Sequence, residues 1–209
     1  VEVAGGGLLM EASSQGYFSH VMIGHGGRDL SGTKSGNIRV EVASGDLSVL
    51  AGGFNATSRY NHAQIGHGGY GNGTSGSDLT GAGEVGGVAQ GIQVAVDNGS
   101  MLIRGGQNPY SYAMVGNGGI CAGAVGTYTQ TGDIALSVSG DLTLAGGTAT
   151  YAYAQIGHGG PSAIANYVWN LGGAIDIEAG GTVSATGGTA STTYVQIGHG
   201  GIATTTTSS

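Results

Sequence analysis

The sequence predicts an all-β protein built as a parallel β-helix, a solenoid in which each turn of three short strands, or rung, stacks on the next. Three observations predict this fold. The string Ile-Gly-His-Gly-Gly recurs along the chain, and segments of alternating apolar and polar residues precede each copy. The number of residues between repeats varies only in the connectors, outside these alternating segments. No segment sustains a helical period, and glycine interrupts every eight or nine residues, which disfavours helices.

The repeated string sets the domain organisation. It begins at Ile23, Ile65, Ile156 and Ile197, and a variant, Val-Gly-Asn-Gly-Gly, begins at Val115. The intervals are 42, 50, 41 and 41 residues, so the five repeats end near residues 27, 69, 119, 160 and 201. A fixed period of this length is the sequence signature of repeat architectures. We therefore expect residues 1–209 to form a single solenoid domain with one rung per repeat.

Each repeat contains three segments with the alternation of half-buried strands. In the fourth repeat, the first segment carries Ile134, Leu136 and Val138, the second carries Leu142 and Leu144, and the third directly precedes the motif. From the first segment to the closing glycines, the length is 27 residues in two repeats and 28 in a third, whereas the connectors vary from 10 to 22 residues. Constant strands with variable connectors predict loop excursions after each Gly-Gly. Two alternatives to this fold are a sandwich of β-hairpins and a solenoid with two smaller rungs per repeat.

Stacking converts each aligned position into a column of side chains along the solenoid. One rung cannot bury its apolar face alone, so its neighbours must cover it. The predicted core therefore includes an isoleucine column, which consists of Ile23, Ile65, Val115, Ile156 and Ile197.

Composition narrows the class of protein. The 209 residues include 47 glycines, 39% are hydrophobic and only 8% are charged, unlike an apolar-poor, charge-rich disordered segment. The net charge of −7 comes without a basic patch, so we expect no nucleic-acid partner. No stretch approaches ~20 consecutive apolar residues, so we expect no membrane span. The single cysteine, Cys121, excludes an intramolecular disulfide framework and a cysteine-built metal site, and we expect it to be dispensable.

The histidines of the motif form one column, which we call the histidine column. Neutral imidazole is a common metal ligand, so a metal ladder is one interpretation. The other is that these side chains bond to backbone groups at a glycine-rich corner, and the asparagine in the middle repeat favours it. We expect a structural role, with no metal and no cofactor. The histidine column consists of His25, His67, Asn117, His158 and His199.

Three further columns precede the motif. Strand alternation places them on the face opposite the isoleucine column, so we expect them to point outward. The first aromatic column, five residues before the motif, consists of Phe18, Tyr60, Tyr110, Tyr151 and Thr192. The second aromatic column, three residues before the motif, consists of His20, His62, Tyr112, Tyr153 and Tyr194. The glutamine column, one residue before the motif, consists of Met22, Gln64, Met114, Gln155 and Gln196.

Two interpretations of the aromatic columns remain open. Stacked aromatic rings and amide ladders brace parallel, in-register strands. An exposed aromatic stripe also marks a surface that contacts a glycan, a partner protein or a neighbouring rod. The aromatic and histidine residues of both columns are therefore the candidate binding residues.

Catalysis is the least favoured function. The sequence contains no Gly-x-Ser-x-Gly, Walker or His-Glu-x-x-His motif. A polysaccharide-degrading β-helix needs clustered acids and bases on one face, and the adjacent pair Asp176 and Glu178 arises readily by chance on a strand. We expect no catalytic residues.

The Ile-Gly-His-Gly-Gly units, their Gly-Asp-Ile and Gly-Asp-Leu strands and their turns rich in Ala, Thr and Gly resemble the repeat regions of large secreted bacterial surface proteins. These are filamentous-haemagglutinin-like adhesins and autotransporter passengers. The resemblance covers all 209 residues and is more specific to architecture than to activity. It implies a right-handed β-helical rod that is exported to the cell surface or beyond, with a role in attachment or in a surface coat.

The expected function is therefore that of a non-catalytic extracellular rod segment with a structural and adhesive role. The alternative is a filament subunit that polymerises end to end through open rungs. The sequence begins and stops inside the repeat pattern, which predicts an excerpt of a longer array or a stacking subunit. The expected partners are copies of the chain or flanking repeats, and glycans or a neighbouring cell surface.

Overall fold

The chain is described here by a computed structural model that covers residues 1–28, 33–53, 58–70, 79–80, 91–120, 126–161 and 167–202. These residues form 21 strands and no helix. The strands pair in parallel throughout, in stacked sheets. The predicted all-β, parallel-strand architecture is confirmed, and it is consistent with a β-solenoid.

Each repeat contributes one strand to each of three five-stranded sheets. The first sheet contains, in spatial order, β1 (Glu2–Val3), β6 (Ile38–Val42), β11 (Gly91–Val96), β15 (Asp133–Val138) and β19 (Ile175–Ala179). The second contains β2 (Leu8–Glu11), β7 (Leu47–Leu50), β12 (Met101–Arg104), β16 (Leu142–Ala145) and β20 (Val183–Thr186). The third contains β3 (His20–Ile23), β8 (His62–Ile65), β13 (Ala113–Val115), β17 (Ala154–Ile156) and β21 (Val195–Ile197).

The register of these sheets follows the sequence repeat. Ile65 pairs with Ile23 on one side and Val115 on the other, and Ile156 pairs with Val115 and Ile197. Equivalent residues of consecutive repeats are therefore direct neighbours. This pairing produces the columns expected from the alignment of the motifs.

A fourth parallel sheet was not predicted from the sequence. It contains, in spatial order, β18 (Tyr167–Gly172), β14 (Gly126–Thr131), β10 (Leu79–Thr80) and β5 (Lys34–Ser35). These strands lie in the connectors, where only loop excursions were expected, so the description of each repeat as three strands is incomplete. Each connector contributes one strand to this sheet, and the strands of different connectors pair with one another. A further short pair, β4 (Gly26–Arg28) and β9 (Gly68–Tyr70), continues from the motif.

The core lies between the first three sheets. A single buried cluster contains side chains from all three, and among them Val94, Leu47 and Ile65 are at most 1% exposed. Several side chains in the first and last repeats, such as Leu8 and Ile177, are only partly buried against this cluster because each has a neighbouring repeat on one side only. Inward and outward residues alternate as the strand period requires.

Polar side chains connect the turns of consecutive repeats. The Asp46 carboxylate accepts a hydrogen bond from the Ser100 backbone N–H at 2.8 Å, and the Asp141 carboxylate accepts one from Thr182 at 2.7 Å. These bonds satisfy backbone donors at the strand starts and hold neighbouring repeats at a fixed distance.

Among the residues described above, no helix is long and apolar enough to cross a membrane.

Candidate functional site

The motif forms a tight corner at the end of the third sheet, where the backbones of consecutive repeats are in contact. Gly118 has a φ of +125° and forms isolated parallel bridges with Gly68 and Gly159. A side chain at Gly118 would collide with the carbonyl oxygen of Gly159. Glycine is required here because it tolerates this backbone conformation and leaves room for the next repeat.

At this corner, the last four side chains of the histidine column each accept a hydrogen bond from the preceding repeat. The donor is the backbone N–H of the equivalent residue one repeat earlier. These bonds join His25 N–H to His67 Nδ1 at 3.1 Å, His67 N–H to Asn117 Oδ1 at 2.9 Å, Asn117 N–H to His158 Nδ1 at 2.9 Å, and His158 N–H to His199 Nδ1 at 3.1 Å. The Nδ1 lone pair of each of these imidazoles is therefore occupied, so coordination of a metal there would require that bond to break.

The other ring nitrogen bonds to the segment that leads into the first sheet. His67 Nε2 lies 2.9 Å from the Gly36 carbonyl oxygen. The equivalent distances are 2.7 Å from His158 Nε2 to the Gly132 carbonyl oxygen and 3.0 Å from His199 Nε2 to the Gly173 carbonyl oxygen. Because Nδ1 accepts an N–H, the ring proton lies on Nε2 and is donated to the carbonyl. Asn117 reproduces the same pair of bonds, with Nδ2 donating to the Thr131 carbonyl at 3.0 Å.

Burial favours the neutral form of these rings. The pKa of His158 is lowered to about 4, mainly by burial and to a smaller extent by His199, while the Gly132 carbonyl and Asp133 act in the opposite direction. Burial also lowers the pKa of His67. Neutral imidazole is the form that the observed bonds require.

The second aromatic column forms a continuous stack. Its successive ring centroids are 5.1, 4.8, 4.9 and 4.7 Å apart, and the ring planes are within 8° of parallel. The expectation that this column is exposed is wrong for its middle members, because Tyr112 and Tyr153 are 0% exposed and His62 is 1% exposed. The column does lie opposite the isoleucine column, but Ile120 and Tyr70, which follow the motif, pack against the same aromatic cluster. His20 at one end is exposed and Tyr194 at the other is half-buried.

The glutamine column connects this stack to the glycine corner. The buried Gln64 amide donates to the carbonyls of His67, Gly116 and Gly118. Two repeats later, Gln155 makes the equivalent bonds to the carbonyls of His158, Gly198 and Gly200. The Tyr112 hydroxyl donates to Gln64 Oε1 at 3.4 Å, and the Tyr194 hydroxyl donates to Gln155 Oε1 at 3.3 Å.

A methionine in the glutamine column interrupts this pattern. In the repeat before that of His62, the position of the accepting glutamine is occupied by Met22, which has no amide. The buried His62 Nε2 has no hydrogen-bond partner among the described residues. Burial, with a smaller effect from His20, lowers the pKa of His62 to about 3. The second aromatic column and the glutamine column thus form a second buried layer that braces the third sheet.

The first aromatic column is half-exposed and remains accessible. Its rings are stacked, with centroid distances of 4.9 Å for Phe18–Tyr60, 4.8 Å for Tyr60–Tyr110 and 5.0 Å for Tyr110–Tyr151. Tyr17, which is 58% exposed, and Arg28, whose guanidinium carbon lies 3.7 Å from the Phe18 ring centroid, extend this surface at the end of the first repeat. Burial, followed by the neighbouring Tyr60 and Tyr151, raises the pKa of the Tyr110 phenol.

All five members of the first aromatic column adopt left-handed backbone conformations, which sequence reasoning missed. Their φ values lie between 57° and 63°, in a region that costs a non-glycine residue roughly 1–2 kcal/mol. Bulky residues are rare there, and a column of them indicates that the surrounding turns hold the backbone in place. This geometry stacks the rings face to face along the column, and Tyr70 packs at a tilt against Phe18 and Tyr60.

Replacement of Tyr110 tests this strain. Both Tyr110→Ala and Tyr110→Gly lose the ring stacking, but only glycine relieves the left-handed backbone. We expect the glycine variant to be more stable than the alanine variant by about 1 kcal/mol, the reverse of the usual order. Urea unfolding followed by circular dichroism measures the difference. A less stable glycine variant would show that the backbone at Tyr110 is not strained.

Comparisons of the chain with protein-family models, with curated proteins and with solved structures gave no match. The structure brings together the histidine column at the glycine corner and both aromatic columns beside the third sheet. The accessible part of the candidate site is the first aromatic column with Tyr17 and Arg28. Cys121 lies outside the described residues.

Proposed function

We propose that the chain is a segment of an extracellular rod with a structural and adhesive role and without catalytic activity. In this proposal, the repeats form five rungs of a right-handed β-helix with a length of roughly 24 Å at the strand spacing of about 4.8 Å. The first aromatic column is the contact surface. Its partner is a glycan or a protein on a neighbouring surface.

One observation carries this proposal: the half-exposed rings of the first aromatic column repeat in register from one repeat to the next. The ring centroids of Tyr60, Tyr110 and Tyr151 follow one another at 4.8 and 5.0 Å, about one strand spacing. Contacts that are weak singly add together when a stiff scaffold presents them at regular intervals. Because the ring faces are stacked on one another, recognition uses hydrogen bonds to the phenols and contacts with ring edges rather than the stacking of a sugar on a free face.

An attachment assay with a folded double variant tests the contact surface. Asparagine tolerates the left-handed backbone, so Tyr110→Asn combined with Tyr151→Asn removes the phenols without adding strain. We expect beads coated with this variant to lose binding to a panel of immobilised glycans and cultured cells, while the circular dichroism spectrum keeps its β-sheet form.

The matched control is Leu102→Asn, which removes a half-exposed apolar side chain from the second sheet with the same new residue. This control should bind as the wild-type chain does. Binding that survives in the double variant, or that falls equally in the control, would contradict a contact surface at the first aromatic column.

A second candidate function is that of a filament subunit that assembles end to end. The observation that favours it is the exposure of apolar residues on the edge strands of the last repeat, where Val183 is 50% and Ile197 is 45% exposed. The same edges would be covered equally well by further repeats of one chain. Electron microscopy distinguishes the two functions, because unbranched fibres of constant width that disappear in Ile197→Lys support a filament subunit. Single particles at all concentrations support the rod segment.

A further inference from the structure

The histidine column connects parts of the fold that no other described side chain of the motif connects. His158 accepts the Asn117 N–H of the preceding repeat at 2.9 Å and lies 2.7 Å from the Gly132 carbonyl oxygen, just before β15 begins. The same imidazole therefore joins two consecutive repeats and bridges the third sheet to the first within its own repeat. His67 makes the equivalent bridge from the His25 N–H to the Gly36 carbonyl.

This bridge exists only for the neutral ring. Protonation places a hydrogen on Nδ1, directly opposite the backbone N–H that Nδ1 accepts, and two donors then face each other. The backbone N–H loses its partner inside a buried corner, which is costly. Glycines on both sides of the histidine leave no other side chain to replace the bond.

We propose that the histidine column is an acid-sensitive latch, which holds the glycine corner to the adjacent repeat and to the first sheet when its imidazoles are neutral and releases both when they are protonated. This inference does not rest on the proposed adhesive function. It concerns the stability of the corner, which is measured without any binding partner.

Few charged groups surround the histidine column. Their combined effect on protonation of the imidazoles is smaller than that of burial, which favours the neutral form. His158 faces His199 of the next repeat, the neutral Asn117 of the preceding repeat and Asp133 on β15. His67 faces His25 and Lys34, both of which disfavour a second positive charge. Only Asp133 among these groups favours the protonated form, and its effect is smaller than that of burial.

The direction of the pH effect follows from proton uptake by the unfolded chain. Above the ordinary histidine pKa of about 6.5, His158 is neutral in both states and adds no pH dependence. Between that value and a folded pKa of about 4, the unfolded chain binds a proton that the folded chain does not, so stability falls as the pH falls. At pH 4.5, His158 alone is expected to raise the equilibrium constant for unfolding on the order of 70-fold relative to pH 7.5.

Asn117 supplies the variant that tests this latch. An asparagine in the column makes both bonds and does not titrate, so His158→Asn should fold at neutral pH and lose most of the acid sensitivity that His158 contributes. His158→Ala should be less stable at every pH because it makes neither bond. Urea unfolding from pH 7.5 to pH 4.5 measures both. His25→Asn is the matched control, since the exposed His25 ring lies at the end of the column and should contribute little.

The tautomer gives a readout that does not depend on stability. Long-range proton–nitrogen NMR spectra of the wild-type chain at pH 7.5 should show His67 and His158 protonated on Nε2 and unprotonated on Nδ1. A proton on Nδ1 in these residues would overturn the proposal. An acid dependence in His158→Asn as steep as that of the wild-type chain would overturn it as well.

Discussion

Replacement of Gly118 by alanine is expected to destabilise the protein by about 2–6 kcal/mol, because two costs act together. The φ of +125° strains any residue with a Cβ, and the new methyl group would meet the Gly159 carbonyl and the Gln130 amide. Neither neighbour has space to retreat, since Gln130 is buried and Gly159 is bridged to the next repeat. Urea unfolding should show a large loss of stability or an unfolded chain at 25 °C.

Gly187→Ala is the control for this prediction. A Cβ at Gly187 would meet nothing within 4 Å, and its φ is outside the left-handed region. Its stability should therefore change by no more than about 0.5 kcal/mol. Equal effects of the two substitutions would contradict the requirement for glycine at the corner, because only Gly118 combines a left-handed backbone with close neighbours of the new methyl group.

The register of the sheets was predictable from the sequence for a physical reason. A parallel solenoid places equivalent residues of consecutive repeats side by side, so the alignment of the motifs is also the alignment of the strands. The pairing of Leu47 with Met101 and of Met101 with Leu142 follows directly from it. A shift of one residue would turn the apolar side chains of β12 to the outside, which fixes the register further.

The fourth sheet was less predictable because the connectors differ in length and share no motif. A signal was nevertheless present, since the segment Gly126–Thr131 contains alternating Thr residues immediately before a strand. Only Gly132, with a φ of +122°, separates β14 from β15. Sequence periodicity detects the strand but gives no indication that the ends of different connectors pair with one another.

Burial of the second aromatic column was also beyond sequence reasoning. Strand alternation gives the side of the sheet to which Tyr112 points, but it does not say whether another layer covers that side. The covering residue Ile120 lies in a connector, outside the repeated pattern. The left-handed backbone of the first aromatic column carried even less signal, since tyrosine and phenylalanine are not residues that favour it.

The burial of the second aromatic column leads to the second large effect, a loss of stability of about 3–5 kcal/mol in Tyr112→Ala. The Tyr112 ring is 0% exposed and is stacked between His62 at 4.8 Å and Tyr153 at 4.9 Å. Its removal leaves a cavity that these two stacked neighbours cannot fill without breaking their own contacts. The loss also leaves Gln64 Oε1 without the Tyr112 hydroxyl.

The matched comparison is Tyr151→Ala in the first aromatic column. Tyr151 is half-exposed and stacks on Tyr110 at 5.0 Å, so its removal costs about 0.5–1.5 kcal/mol of ring stacking and opens no buried cavity. Urea unfolding of both variants at pH 7.5 should therefore give unequal losses, with that of Tyr112→Ala at least twice as large. Equal losses would contradict the conclusion that the buried second aromatic column stabilises the third sheet more than the half-exposed first column does.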